Sequence, residues 1–127
     1  MEPLHTLRPE RLRGLVFDID DTVTQNGVLQ PSAYSAMHLL ANAGILLVAV
    51  TGRPLGWADL FARLWPVQIA VGENGAGWAW VDDEQFHEGY FCDAEERAAH
   101  AALLQRVRAD VAALMPDVRV SSDERAR

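Results

Sequence analysis

The sequence predicts an α/β fold, a mostly parallel β-sheet with helices laid against it. Three observations predict it. Short apolar runs of strand length recur at residues 15–17, 45–50 and 67–71. Segments with helical spacing separate them, so the order reads β-α-β-α-β. The connections are short, and such units form right-handed crossovers that set successive strands side by side. The sheet is then Rossmann-like, and ligands of such sheets sit off the carboxyl ends of the strands.

Residues 1–13 read as a loose leader, with Pro3 and Pro9 breaking any helix. The first strand covers 14–18. Residues 20–30 form a loop, with Asn26-Gly27 as its turn. A helix is expected over 31–43. Pro31 suits its first turn, Ala33, Ala36, Met37 and Leu40 make an apolar face, and Gly44 suits the position just past its end. The run at 45–50 is nearly all apolar, as in a parallel strand covered on both faces. A second helix runs from beyond Pro54 to about Trp65, where Pro66 stops it. The third strand spans 67–71 and ends in Gly72-Glu73-Asn74-Gly75-Ala76. Residues 77–81 and 85–91 pair as a hairpin around Asp82-Asp83-Glu84. Asp93 caps a long helix reaching about residue 115, and Glu96 completes a capping box. Ala98, Ala102, Leu104, Val107, Val111 and Leu114 recur along it at helical spacing. Pro116 ends it, 118–120 starts another strand, and 121–127 is polar.

A chain of 127 residues is the size of one domain, and a hydrophobic fraction of 50% supports a core. The net charge of −7 argues against a nucleic-acid partner, which needs a basic face. No apolar run is long enough to cross a bilayer, and no secretory signal opens the chain, so no membrane partner is expected. The single cysteine, Cys92, excludes an internal disulfide and fits a reducing, cytoplasmic compartment. His5, His38, His87 and His100 form no pair at metal-ligand spacing. Trp57, Trp65, Trp78 and Trp80 read as packing residues.

The chemistry gathers where the first strand stops, at Asp18-Ile19-Asp20-Asp21-Thr22. Asp18 and Asp20 share one side of an extended chain. Like charges that close favour protonating one of them or binding a cation between them. A hard divalent ion with oxygen ligands fits that pattern. So does a pair divided into nucleophile and proton donor. The same string also reads as a solvated turn with a helix cap. At the end of the second strand, Thr51 offers a hydroxyl, and the bare Gly52 backbone lets a phosphoryl group approach. Thr51 equally suits the cap of the next helix. Arg53 reads as a phosphate partner or as a structural ion-pair residue. Asp18, Thr51 and the 72–76 loop all fall at carboxyl ends of strands, so polar sequence converges on one rim.

The Asp18-Ile19-Asp20-Asp21-Thr22 string resembles the first signature of the haloacid dehalogenase-like superfamily, mostly phosphatases. Val50-Thr51-Gly52-Arg53 resembles its second. Glu73-Asn74-Gly75-Ala76 resembles the loop of Cof-like and sugar-phosphate phosphatase members, which carry an α/β cap inserted after the third strand. The resemblance implies a core of three βα units over 14–77 and the start of a cap over 78–127. It implies Mg²⁺-dependent hydrolysis of a small-molecule phosphate ester, a sugar phosphate foremost. Asp18 would attack phosphorus, and Asp20 would protonate the leaving alcohol and then deprotonate water. Mg²⁺ would be held by the Asp18 carboxylate and the Asp20 main-chain carbonyl. Thr51, Gly52 and Arg53 would hold the phosphoryl group, while Asp21 and Thr22 shape the loop. A phosphomutase and a non-catalytic, truncated binding module of the same superfamily are the alternatives. A receiver-type phosphoacceptor fits less well, because its acceptor stands after the third strand, where this chain has Glu73.

One departure matters. The superfamily also uses a lysine or arginine beside the phosphoaspartate, and an acidic pair that usually follows Gly-Asp. Here all 11 lysine-plus-arginine residues are arginine, and no Gly-Asp follows Ala76. The chain is therefore expected to be the front part of a longer enzyme, with little phosphatase activity alone. The unpaired apolar edge of its first strand is expected to drive self-association.

Overall fold

The computed structural model describes residues 12–119 and 125–126. Seven strands and three helices occur among them: β1 Gly14–Asp18, β2 Thr24–Gln25, β3 Val28–Leu29, α1 Pro31–Asn42, β4 Leu46–Val50, α2 Leu55–Leu64, β5 Ile69–Gly72, β6 Gly77–Asp82, β7 Gln85–Tyr90 and α3 Ala94–Leu114. A single 3₁₀ turn, Glu73–Gly75, joins β5 to β6.

The main sheet has the order β1-β4-β5-β6-β7. β1, β4 and β5 run parallel, whereas β6 and β7 are antiparallel additions. The fold is thus the expected Rossmann-like α/β type, with a mixed rather than a mostly parallel sheet. The hairpin expected to open a cap is hydrogen-bonded directly onto β5 and continues the core sheet. Its two-residue turn puts Asp83 and Glu84 at φ of 46° and 64°. Those dihedrals match the strand twist a tight hairpin needs.

Several elements follow from local chemistry. α1 starts on Pro31 and ends where Gly44, at φ +78°, turns the chain out of the helix. The Gly44 N–H donates to the Ala41 carbonyl and the Ile45 N–H to the Leu40 carbonyl, which satisfies two terminal acceptors. Of the expected apolar face, Met37 is buried and Ala33 and Leu40 are half-buried, but Ala36 is exposed. Tyr34 and Ala41 pack against the core instead. Asn26-Gly27 turns the chain as expected, and the loop around it closes into the short antiparallel pair β2–β3.

The core lies between α2 and the sheet. Leu47, Ala49, Leu55, Ala58 and Ala79 have no exposed surface. β4 is not covered equally on both faces, because Leu46 is exposed and Val48 and Val50 are half-buried. β5 begins two residues later than the apolar run suggests. Even so, the Gln68 N–H donates to the Leu47 carbonyl, and its side chain accepts from the Leu47 N–H, which ties this stretch to β4.

α3 has the expected capping box: the Asp93 carboxylate accepts from the Glu95 and Glu96 N–H groups, and Glu96 reaches back to Asp93. Its apolar positions find little cover. No residue of α3 is buried, and only Leu104 and Val111 of the expected stripe are even half-buried. The local signals that favour α3 are its N-terminal capping box and its Ala/Leu-rich composition. The expected strand at 118–120 is not formed at Val118 or Arg119. Val120, His5 and residues 1–11 lie outside the described residues. Two residues of the polar tail, Arg125 and Ala126, are among those described. Ala126 is 1% exposed, and the Arg125 guanidinium reaches Glu88 at 2.9 Å and Asp59 at 3.6 Å.

The tryptophans pack as expected at the edges of the core rather than at its centre. Trp65 lies 4.2 Å from Phe61, ring centre to ring centre, and Trp80 stacks on His87. Trp78 covers Gly89, where a Cβ would come within 2.3 Å of its ring.

Candidate functional site

β1 stops and the chain alternates. Ile19 is 2% exposed and points into the core, so its neighbours Asp18 and Asp20 face outward. The Ile19 carbonyl then accepts from the N–H groups of Thr22, Val23 and Thr24 and from the Thr24 hydroxyl. This knot turns the chain sharply, with Asp21 at φ 56°. Asp21 is exposed, and its N–H donates to the Thr24 hydroxyl. The Asp18 carboxylate accepts from the Thr22 hydroxyl at 3.2 Å. Asp21 and Thr22 therefore build the loop, as expected.

Parallel pairing brings the second motif alongside. Asp18 sits opposite Val50 in the ladder, so Thr51 follows at the same rim. Thr51 is 2% exposed. Its hydroxyl donates to the Asp20 carboxylate at 3.3 Å and accepts from the Arg53 N–H at 3.1 Å. The Thr51 side chain thus bonds inside its own turn and to Asp20. α2 starts after Pro54, with no capping hydrogen bond from the Pro54 side chain. Arg53 grips Asp20 with Nε at 3.0 Å from both oxygens and Nη2 at 2.6 Å from one. The guanidinium also lies over Trp57, 4.4 Å from the ring centre. Arg53 is therefore an ion-pair partner of Asp20 in this state. Its hydrogen bonds hold the Asp20 carboxyl below the usual carboxylate range, and partial burial opposes this only in part.

Two residues of the 72–76 loop, which the sequence placed at the rim without a role of their own, complete the site. The Glu73 carboxylate is 3% exposed and accepts from the Leu55 N–H at 3.0 Å, the first amide of α2. It also accepts from the Arg125 and Ala126 N–H groups. The Asn74 side chain backs Gly52, where an added Cβ would stand 2.9 Å from its Oδ1. Glu73 and Asn74 both have positive φ, at 50° and 54°. The readable signal was an acidic residue between a buried strand and an Asn-Gly turn, a place where packing alone supplies no reason for charge.

The donors suit a hard cation in kind. Asp18 is an exposed carboxylate, and the Asp20 side chain is engaged by Arg53 and Thr51, so the oxygens that the resemblance implies for a cation would be the Asp18 carboxylate and the Asp20 main-chain carbonyl. Mg²⁺ is commonly held by one or two protein oxygens plus substrate phosphate and water. Among the described residues, no group of three histidine, cysteine, aspartate or glutamate side chains is placed to hold a metal. Also among them, no helix is long and apolar enough to cross a membrane.

A search of curated proteins found no match. The family model for haloacid dehalogenase-like hydrolases matches residues 15–112, which include both the Asp18 and the Thr51 motifs. On that match, joined to the α/β fold and the rim where those motifs meet, the chain belongs to the haloacid dehalogenase-like hydrolase family.

Proposed function

We propose that the chain belongs to a Mg²⁺-dependent phosphatase that hydrolyses a small phosphorylated metabolite, a sugar phosphate foremost, through an aspartyl-phosphate on Asp18. One arrangement carries this reading: the Thr51 hydroxyl, the Asp20 carboxylate and the Arg53 guanidinium form one hydrogen-bonded group beside the strand end that presents Asp18. In it, an Asp18 oxygen attacks phosphorus, the ester P–O bond breaks, and the leaving oxygen takes a proton from Asp20. Water then attacks the same phosphorus and gives its proton to Asp20, which releases inorganic phosphate and restores the Asp18 carboxylate. Thr51 and Gly52 receive the phosphoryl oxygens. A phosphoryl group carries more charge than a carboxylate, so its arrival draws Arg53 from Asp20 and frees that carboxyl for proton transfer. Mg²⁺, held by Asp18 and the Asp20 carbonyl, would offset charge on the phosphoryl oxygens.

A second reading, a binding module without turnover, is favoured by two observations: no third metal-capable side chain joins the pair among the described residues, and the chain has no lysine. p-Nitrophenyl phosphate with Mg²⁺ separates the two. The phosphatase reading expects phosphate release, at a rate below the usual enzymatic range of about 1–10³ s⁻¹, abolished in Asp18→Asn and kept in Asp82→Asn. Equal release from Asp18→Asn removes Asp18 as the nucleophile. Saturable phosphate binding with no release selects the binding module. Labelled water separates hydrolysis from transfer to a second sugar, since only hydrolysis puts solvent oxygen into phosphate.

We also propose a cytoplasmic location, on the single reduced cysteine, and self-association through β1. β1 is the end strand of its sheet, and Val16 is 68% exposed. Antiparallel pairing of two copies centred on Val16 would set Leu15 against Phe17 and Gly14 against Asp18, with no like charges opposed.

A further inference from the structure

The Thr51–Leu55 turn is shaped from behind by the 71–74 stretch. The Thr51 N–H donates to the Val71 carbonyl at 3.0 Å, and the Asn74 N–H donates to the Thr51 carbonyl at 3.3 Å. The Glu73 N–H donates to the Arg53 carbonyl at 2.8 Å, and the Glu73 carboxylate accepts from the Leu55 N–H. Glu73 thus holds this turn at two points two residues apart, with its main chain on one and its side chain on the other. Gly52, between Thr51 and Arg53, rests on the Asn74 side chain. Left-handed dihedrals at both Glu73 and Asn74 are unfavourable for residues with a Cβ, and surroundings must hold them there. Nor is a carboxylate needed to fill this space, since the neighbouring Leu55, Ala58 and Ala126 are apolar and buried.

We infer that Glu73 is a positioning residue for the phosphate-binding turn: by clamping Arg53 and Leu55 it sets where Gly52 and the Thr51 hydroxyl stand. The inference rests on the phosphate reading above. It also explains the choice of glutamate. A side chain one carbon longer than aspartate spans from a left-handed turn to the first amide of α2, and its charge suits the helix start. Asn74, next along, places its side-chain oxygen where a Cβ at position 52 would come within 2.9 Å, so a side chain there would have to displace it.

The test compares wild type, Glu73→Ala and Glu73→Gln by amide NMR, with inorganic phosphate plus Mg²⁺ as the probe. Glu73→Ala is expected to shift the Gly52 and Arg53 amides before phosphate is added and to weaken phosphate binding at least tenfold. The hairpin amides of Trp80 and His87 should stay in place. Glu73→Gln keeps an oxygen for the Leu55 N–H but loses the charge, and is expected to shift the same amides less and to lose about two- to fivefold in affinity. Unchanged Gly52 and Arg53 amides in Glu73→Ala overturn the inference, and so does unchanged affinity. If Glu73→Ala does not fold, Glu73→Gln decides: amides and affinity identical to wild type overturn it. A wild-type chain whose Thr51, Gly52 and Arg53 amides ignore phosphate sinks the phosphate reading instead. The amide shifts without phosphate still judge the role of Glu73.

Discussion

Arg53 and Asp20 form a fork-to-carboxylate pair, with hydrogen bonds of 2.6, 3.0 and 3.0 Å, across 33 residues of sequence. The pair closes the rim between the first two parallel strands and leaves Asp18 outside it. On the proposed phosphatase reading, substrate would have to loosen this pair, because a carboxyl gripped by a guanidinium is a poor proton donor.

The pair gives the site a pH signature. The folded value of Asp20 lies below its ordinary one, mainly through the Arg53 hydrogen bonds. Its contribution to stability is therefore complete above the unfolded value of about 3.9 and lost as pH falls through the lower folded value. Carbon-detected NMR titration of Asp20 should show a depressed midpoint that rises in Arg53→Gln. An identical midpoint in both proteins would mean that the pair does not persist in solution.

Thr51 is buried, and its hydroxyl is bonded to both the Asp20 carboxylate and the Arg53 N–H, so it has a structural role. Thr51→Val keeps the volume but strands the Arg53 N–H. The cost is expected at about 1–3 kcal/mol in urea unfolding. Thr51→Ser, which restores the hydroxyl, should regain more than half of it. Equal stability of the valine and serine variants would refute the hydrogen-bonding role.

A side chain at position 52 would meet the Asn74 amide, so substitutions at the two positions should couple. Gly52→Ala places a Cβ 2.9 Å from the Asn74 amide oxygen. A loss of about 1–3 kcal/mol is expected. In the Asn74→Gly background, where the contact is gone and the positive φ is tolerated, that loss should fall by at least half. Strict additivity in the double-mutant cycle argues that the two residues do not touch.

The open edge of β1 predicts concentration-dependent association. Sedimentation velocity at rising concentration should show dimer or larger species, and Val16→Lys should return the chain to monomer. If Val16→Lys associates as strongly as wild type, another surface is responsible.

α3 predicts a local effect. Asp93→Ala removes the side-chain half of the capping box, the acceptor of the Glu95 and Glu96 N–H groups, and should cost about 1 kcal/mol of helix stability. Because α3 buries no residue, the loss should appear in helical circular dichroism without moving the Asp20 and Arg53 resonances. Coupled loss of both signals would show that α3 supports the core.

The sequence by itself determined the elements whose causes are local. Pro31 and Gly44 bracket α1, Asp93 and Glu96 start α3, and the apolar runs that end in Asp18 and Thr51 become adjacent parallel strands. The rim that gathers Asp18, Asp20, Thr51, Gly52 and Arg53 was legible for the same reason, since motif and strand end coincide in the chain. Tertiary structure alone decided that the 77–90 hairpin joins the core sheet, that Ala36 and most of the α3 stripe face solvent, and that Arg53 spends its charge on Asp20. It also decided that Glu73 and Asn74 back the Thr51–Leu55 turn. Periodicity reports which face of an element is apolar, not whether a partner covers it. A hydrogen bond such as that from the Leu55 N–H to Glu73 joins residues 18 apart in sequence. Only packing brings such groups within reach of each other.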